Sequence, residues 1–349
     1  MPPMPTAPAT EHDPTTPVAA GAAAPALWQR ELSVAIRDAA ELCAALGLPP
    51  EAAAEIRAAA TGFPLLVPRP FLARMRRGDP RDPLLLQVLP TAAERQVADG
   101  FSTDPIGELA ARTAPGLIHK YAGRALVLAT GGCAVHCRYC FRREFPYADS
   151  GATLAGVAAA VEAVAADPTI EEVILSGGDP LLVDDDRLAR LVGRIEAIPH
   201  VRRLRIHSRL PVVLPSRVND GLCDLLSGSR LAVVVVIHAN HPTELDEAVA
   251  AAVRRLATAR AILLNQAVLL AGINDDAATL RGLSQRLVEI GVVPYYLHLL
   301  DRVQGAAHFD VDADTARRLH AELRDSLPGY AVPRLVRDEP GQPAKSWIA

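Results

Sequence analysis

GGCAVHCRYCFRR, residues 131–143, sets Cys133, Cys137 and Cys140 in a C-x3-C-x2-C array. Three soft thiolates so close together suit an iron–sulfur cluster, and a four-iron cubane with three protein ligands keeps one iron open to a small molecule. Other readings of the spacing remain. Zinc needs a fourth ligand, for which His136 is the near candidate. Three thiols cannot all pair off as disulfides, and nothing in a 349-residue chain with five cysteines points to an oxidising compartment. Gly131 and Gly132 open the array with the backbone freedom that lets three side chains converge.

Outward from this loop the rhythm of the chain is that of a parallel sheet. Runs rich in Val, Ile and Leu occur at 125–129, 171–177, 203–207, 231–237, 261–270 and 292–300. Stretches of helical length separate them, at 154–166, 186–197, 216–227, 243–258 and 276–290. Six strand–helix repeats predict an α/β fold, and both a doubly wound open sheet and an incomplete barrel satisfy the pattern. Upstream, apolar spacing predicts helices at 28–47 and 50–60, followed by a proline-punctuated collar over 64–100. Residues 1–26, rich in Pro, Ala and Thr, read as a disordered leader unlike a secretory signal. The chain thus divides into 1–26, a helical collar 27–110, a barrel or sheet 111–310 and a C-terminal segment 311–349.

A formal net charge of −4 and a pI near 6.2 argue against nucleic-acid binding through a basic field. The most apolar runs, 231–237 and 261–273, are too short or too polar to span a bilayer, so no membrane association and a cytoplasmic location are expected. Cys43 and Cys223 are isolated and read as buried structural thiols.

The Cys loop resembles that of the radical S-adenosylmethionine (SAM) enzymes, with Tyr139 in the aromatic position before the last cysteine. CRYCFRR, SGGDPLL at 176–182, RIHSRLPVVLP at 205–215 and LLNQAVLLAGIND at 263–275 are similar to the lysine 2,3-aminomutases within that superfamily. PYYLHLLDRVQGAAHF at 294–309, VPRPFLARM at 67–75 and GFSTDPIGE at 100–108 resemble the short branch that makes β-lysine for elongation factor P. The resemblance spans about residues 28–349. It implies a partial (β/α)6 barrel with a site at the carboxyl ends of the strands, a 4Fe–4S cluster on Cys133, Cys137 and Cys140, and SAM bound at Ser176, Gly177, Gly178 and Asp179.

Further residues take roles from the same resemblance. Lys345 is implied as the amine that holds pyridoxal phosphate (PLP) as a Schiff base, with Lys120 and Arg124 at the phosphate. Lys120 and Lys345 are the only two lysines in the chain. Arg142 is implied at the substrate carboxylate, a task suited to its planar fork of donors, with Arg143 the neighbouring competitor. Asp275 and Asp338 are the implied partners of the lysine ammonium, and two acids there would favour lysine over glutamate. Without the resemblance, Asn274-Asp275-Asp276 reads as a helix N-cap and Asp338 as a surface acid. The implied partners are L-lysine, a flavodoxin- or ferredoxin-like electron donor and the elongation factor P lysyl-ligase system. A mutase acting on free lysine or another amino acid, and a structural metal protein, are the alternatives.

Overall fold

The computed structural model of the chain describes residues 24–349, so most of the expected leader lies outside the described residues. Ten strands form one sheet in chain order: β1 (Arg112–Ala114), β2 (Leu117–Tyr121), β3 (Arg124–Thr130), β4 (Glu172–Gly177), β5 (Arg203–Ser208), β6 (Ala232–Ile237), β7 (Ile262–Val268), β8 (Val293–His298), β9 (Arg334–Arg337) and β10 (Ser346–Trp347). Neighbours from β3 through β9 pair parallel, with β1, β2 and β10 antiparallel at the margins. A doubly wound sheet reverses its strand order at a switch point. This one never does, which settles the choice in favour of the barrel type. The barrel is open: Lys120 and Tyr121 of β2 reach Asp338 beyond β9 through side chains, while the sheet's first and last strands, β1 and β10, do not pair.

The long crossover helices begin at side-chain caps that the sequence carries. Thr153, Asp184, Asn219, Asp246, Asp276 and Asp312 each accept a backbone N–H from the first helical turn. The helices bury one face against the sheet. Strand β4 is buried throughout, whereas β5 alternates, with Leu204, Ile206 and Ser208 buried and Arg203, Arg205 and His207 partly open. That alternation separates the helix-facing side from the barrel interior.

Three features differ from the sequence expectation. The helix expected over 28–47 is two, Leu27–Ser33 and Ala39–Leu46, because Ile36 leaves the helix to pair antiparallel with Val67 and Asp38 then caps a new start. The hairpin of β1 and β2 and the short strand β9 carry too few apolar residues to announce themselves. Through β9 the C-terminal segment joins the main sheet, and the helix Ala313–Ser326 serves as one more crossover, between β8 and β9. Cys43 is buried as expected, and Cys223 is partly exposed. No helix among the described residues is long and apolar enough to cross a membrane.

Candidate active site

The Cys loop leaves the carboxyl end of β3 and lies against the turn after β4. Asp179 donates its backbone N–H to the Gly132 carbonyl at 2.8 Å, and Gly178 donates to the Thr130 carbonyl at 2.8 Å. The approach requires glycine: a Cβ on Gly178 would stand 2.0 Å from the Gly132 oxygen, and Gly177, at φ +122°, would meet the Thr130 oxygen at 2.4 Å. Burial lifts the Cys133 thiol far above its ordinary value, with Cys140, Asp179 and Cys137 adding to the effect. Burial and Cys137 push Cys140 up to about 11. Sulfurs that resist carrying charge beside one another form a donor set for a positively charged centre, which reverses the sign of each perturbation. No three His, Cys, Asp or Glu side chains among the described residues stand as ligands of a single ion. A cubane distributes its ligands over separate irons, and three thiolates are the donor chemistry it takes.

Asp179 ties the loops of three strands together. Its Oδ1 accepts from Leu181 N and Ser208 Oγ, and its Oδ2 from Arg209 N and Leu210 N, at 2.7–3.2 Å. Burial nevertheless raises its carboxyl to about 6, against the pull of these donors. With four acceptor sites filled, this carboxylate shapes the turn after β4 and is not free to contact a ligand. Ser176 and Arg142 are similarly committed. Arg142 donates through Nε and Nη2 to Glu108, at 2.7 and 2.6 Å, and through Nη1 to Ser176 Oγ and the Gly177 carbonyl. Burial opposes its charge, and Glu108 more than restores it. A substrate carboxylate at Arg142 would therefore displace Glu108 or use the one N–H left over. Arg143 bonds Glu94 and the carbonyls of Arg138 and Gly305.

A second cluster of charge lies at the carboxyl end of β9. Lys345 Nζ donates to Asp338 Oδ2 at 2.6 Å, while Lys120 and the Tyr121 hydroxyl bond Oδ1. Burial works against ionisation of Asp338, but Lys345 and Lys120 prevail and hold it at about 2. Arg124 stacks 4.6 Å from the Tyr121 ring and has no ion pair among the described residues, which leaves it available to an anion. Asp301, in the loop after β8, feels both Lys345 and Asp338. Its burial dominates and pushes it up to about 7, and its buried Oδ1 has no hydrogen-bond partner. Both ring nitrogens of His298 and Nε2 of His207 are buried without partners as well. Burial first, with His238 and Lys345 also contributing, keeps both of these imidazoles neutral. Unpartnered buried polar atoms on β5, β8 and the loop after β8, each feeling the charge of Lys345, are valences that a polar guest would satisfy.

Residues 127–277 match the radical SAM superfamily. The L-lysine 2,3-aminomutase of Haemophilus influenzae is 47% identical over 322 residues, covering 92% of this chain and 95% of the relative. That of Escherichia coli is 48% identical over 320 residues, 91% and 93% of the two chains. The chain belongs to the lysine 2,3-aminomutase family. It is a radical SAM enzyme of the isomerase class, and the family's cofactors are a 4Fe–4S cluster, SAM and PLP. The Clostridium subterminale aminomutase is more distant, at 37% identity over 80% of this chain and 67% of its own. A radical SAM methyltransferase of known structure from Sphaerobacter thermophilus is 20% identical, with a TM-score of 0.43 over 63% of this chain and 68% of its own.

Asp275 and Asp338, the two acids named from the sequence, stand in different settings. Asp275 is exposed and accepts from Gly272 N at 3.0 Å, just before Asp276 caps the next helix. Asp301 is the acid that the fold brings to Asp338. It stands inside the block 294–309 already singled out in the sequence, but nothing in its spacing tells which side chain of that block turns inward.

Two predictions follow from this geometry. Gly178→Ala should lose most of the iron retained after anaerobic reconstitution, because the clash is with backbone; Gly193→Ala, with open space around its Cβ, should retain wild-type iron. For Asp301 the folded pKa, about 7, lies above the reference 3.8. Its contribution to stability is therefore full below about pH 4 and is lost as pH rises through 7. In protein prepared without cofactors, Asp301→Asn should gain stability relative to wild type as pH increases from 4 to 8, read from urea midpoints at each pH.

Proposed function

We propose that the enzyme moves the amino group of L-lysine from C2 to C3, yielding β-lysine in a SAM- and PLP-dependent reaction, and that the product is destined for elongation factor P. The observation that carries this reading is the convergence at one barrel mouth of the three-cysteine loop with Lys345 and two acids, Asp301 and Asp338. When bound, the cofactors supply the electron, the hydrogen-abstracting radical and the conjugated carbonyl that migration of an amino group requires.

The chain's own residues do the holding. Cys133, Cys137 and Cys140 would carry the cluster, and the backbone of Ser176, Gly177 and Gly178 would form the wall of the SAM site. Lys345 offers the primary amine for the PLP aldehyde, with Arg124 and Lys120 candidates for its phosphate. In the structure the Lys345 ammonium is ion-paired with Asp338. Its use as a nucleophile requires loss of that proton, which leaves Asp338 short of one cation. A substrate ammonium would supply it. Asp301, whose ionisation burial opposes, would ionise more readily beside the same cation, so the acids together reward a side chain ending in an amine and repel glutamate. Arg142 is the candidate for the substrate carboxylate once Glu108 yields. Neutral His298 and His207 present donors and acceptors to a guest without adding charge. A flavodoxin- or ferredoxin-like donor and the elongation factor P lysyl-ligase system complete the proposed partners.

The test is anaerobic. Protein reconstituted with iron, sulfide and PLP, then given SAM, a reductant and L-lysine, should form β-lysine, with L-glutamate unreactive; 5′-deoxyadenosine without β-lysine would refute the substrate assignment. Borohydride trapping of PLP should label the wild type, and Lys345→Ala should abolish the label. Persistent label would move the role to Lys120, the one other lysine.

A further inference from the structure

One cluster cysteine is treated differently from the other two. Arg209, at the end of β5, donates through Nη1 to Cys137 Sγ at 2.6 Å. No side chain among the described residues donates to Cys133 or Cys140. The guanidinium is 5% exposed and held from several directions. Nη2 donates to Glu244 Oε2 at 3.0 Å and to Gln87 Oε1 at 2.6 Å, Phe71 and Tyr139 lie 5.3 and 5.6 Å away, and the Arg209 backbone N–H is fixed by Asp179. Glu244 is fully buried and is itself fixed, its Oε1 accepting from Gln87 Nε2, Asn240 N and His241 N. Arg209 Nε is buried without a partner, but both terminal nitrogens have defined partners, and Nη1 is aimed at one sulfur.

We propose that Arg209 and Glu244 form a potential-setting pair for the cluster, Arg209 raising and Glu244 lowering the potential at which it accepts an electron from a low-potential one-electron donor. The inference rests on the assignment of Cys137 as a cluster ligand. Reduction adds one negative charge to the cluster and no proton need move. A fixed N–H of a cation at the sulfur stabilises that charge, and a carboxylate behind the cation partly cancels it; hydrogen bonds to sulfur and local charge are the established controls on such potentials. Neither residue needs to touch substrate. Both are positioning residues whose effect passes through Cys137.

The experiment is an EPR-monitored redox titration of the reconstituted full-length protein without SAM, beside iron and sulfide counts. Arg209→Gln should shift the midpoint to lower potential, and Glu244→Gln, which keeps the shape and removes the charge, should shift it to higher potential. Arg209→Lys should fall between wild type and Arg209→Gln. A strut with no electronic role would leave the midpoint unmoved in variants that hold a full cluster, and that result overturns the proposal. Should Arg209→Gln fail to hold a cluster, Glu244→Gln decides alone: a rise supports the pair, and an unmoved or lower midpoint refutes it. Wild-type protein with no four-iron cluster would instead overturn the ligand assignment, and the pair with it.

Discussion

The buried carboxylate of Asp179 is the joint on which the site depends. Its four accepted hydrogen bonds and its own N–H to Gly132 lock the loops after β3, β4 and β5 to one another. A carboxylate taken out of water is costly unless its lone pairs are satisfied. Here the donors are mostly backbone N–H groups, so satisfying the charge and fixing the loops are the same event. The glycines at 131, 132, 177 and 178 make that event sterically possible, since side chains at Gly177 and Gly178 would occupy space held by neighbouring backbone.

Around this joint the barrel mouth holds two kinds of polar group, buried ion pairs and acids or imidazoles that carry no such pair. Arg138 with Glu94, Arg142 with Glu108 and Arg209 with Glu244 are buried pairs, each linking the Cys loop or its neighbours to another segment. Removing one member of such a pair leaves an uncompensated buried charge, which makes them effective at specifying one arrangement. The groups around Lys345 are different. Asp301, His207 and His298 retain buried atoms without partners, and Asp338 shares its charge with both lysines of the chain. Buried ion pairs surround the Cys loop, and unfilled valences gather around Lys345.

The barrel's open edge gives this division a geometric cause. Because β2 and β9 approach without joining, Lys120 and Tyr121 from one margin and Asp338 and Lys345 from the other share a single charge cluster. A closed barrel would place hydrogen-bonded backbone between them. The C-terminal segment reaches this cluster by forming a strand of the main sheet, β9, which carries Asp338 to the margin facing Lys120 and Tyr121 of β2, far earlier in the chain.

By itself the sequence determined the six central strands, their crossover helices, the three-cysteine array, the glycine turn and the rarity of lysine, because each is expressed in local spacing, capping residues or composition. Tertiary structure alone decided which charges meet. Asp275 and Asp301 both follow barrel strands and both belong to distinctive blocks, yet one caps a turn in solvent and the other is half-buried within the field of Asp338. The contact of Arg209 with Cys137 joins residues 72 apart, and that of Lys120 with Asp338 residues 218 apart. No local period encodes such distances; the curvature of the sheet does, by bringing the carboxyl ends of its strands to one mouth.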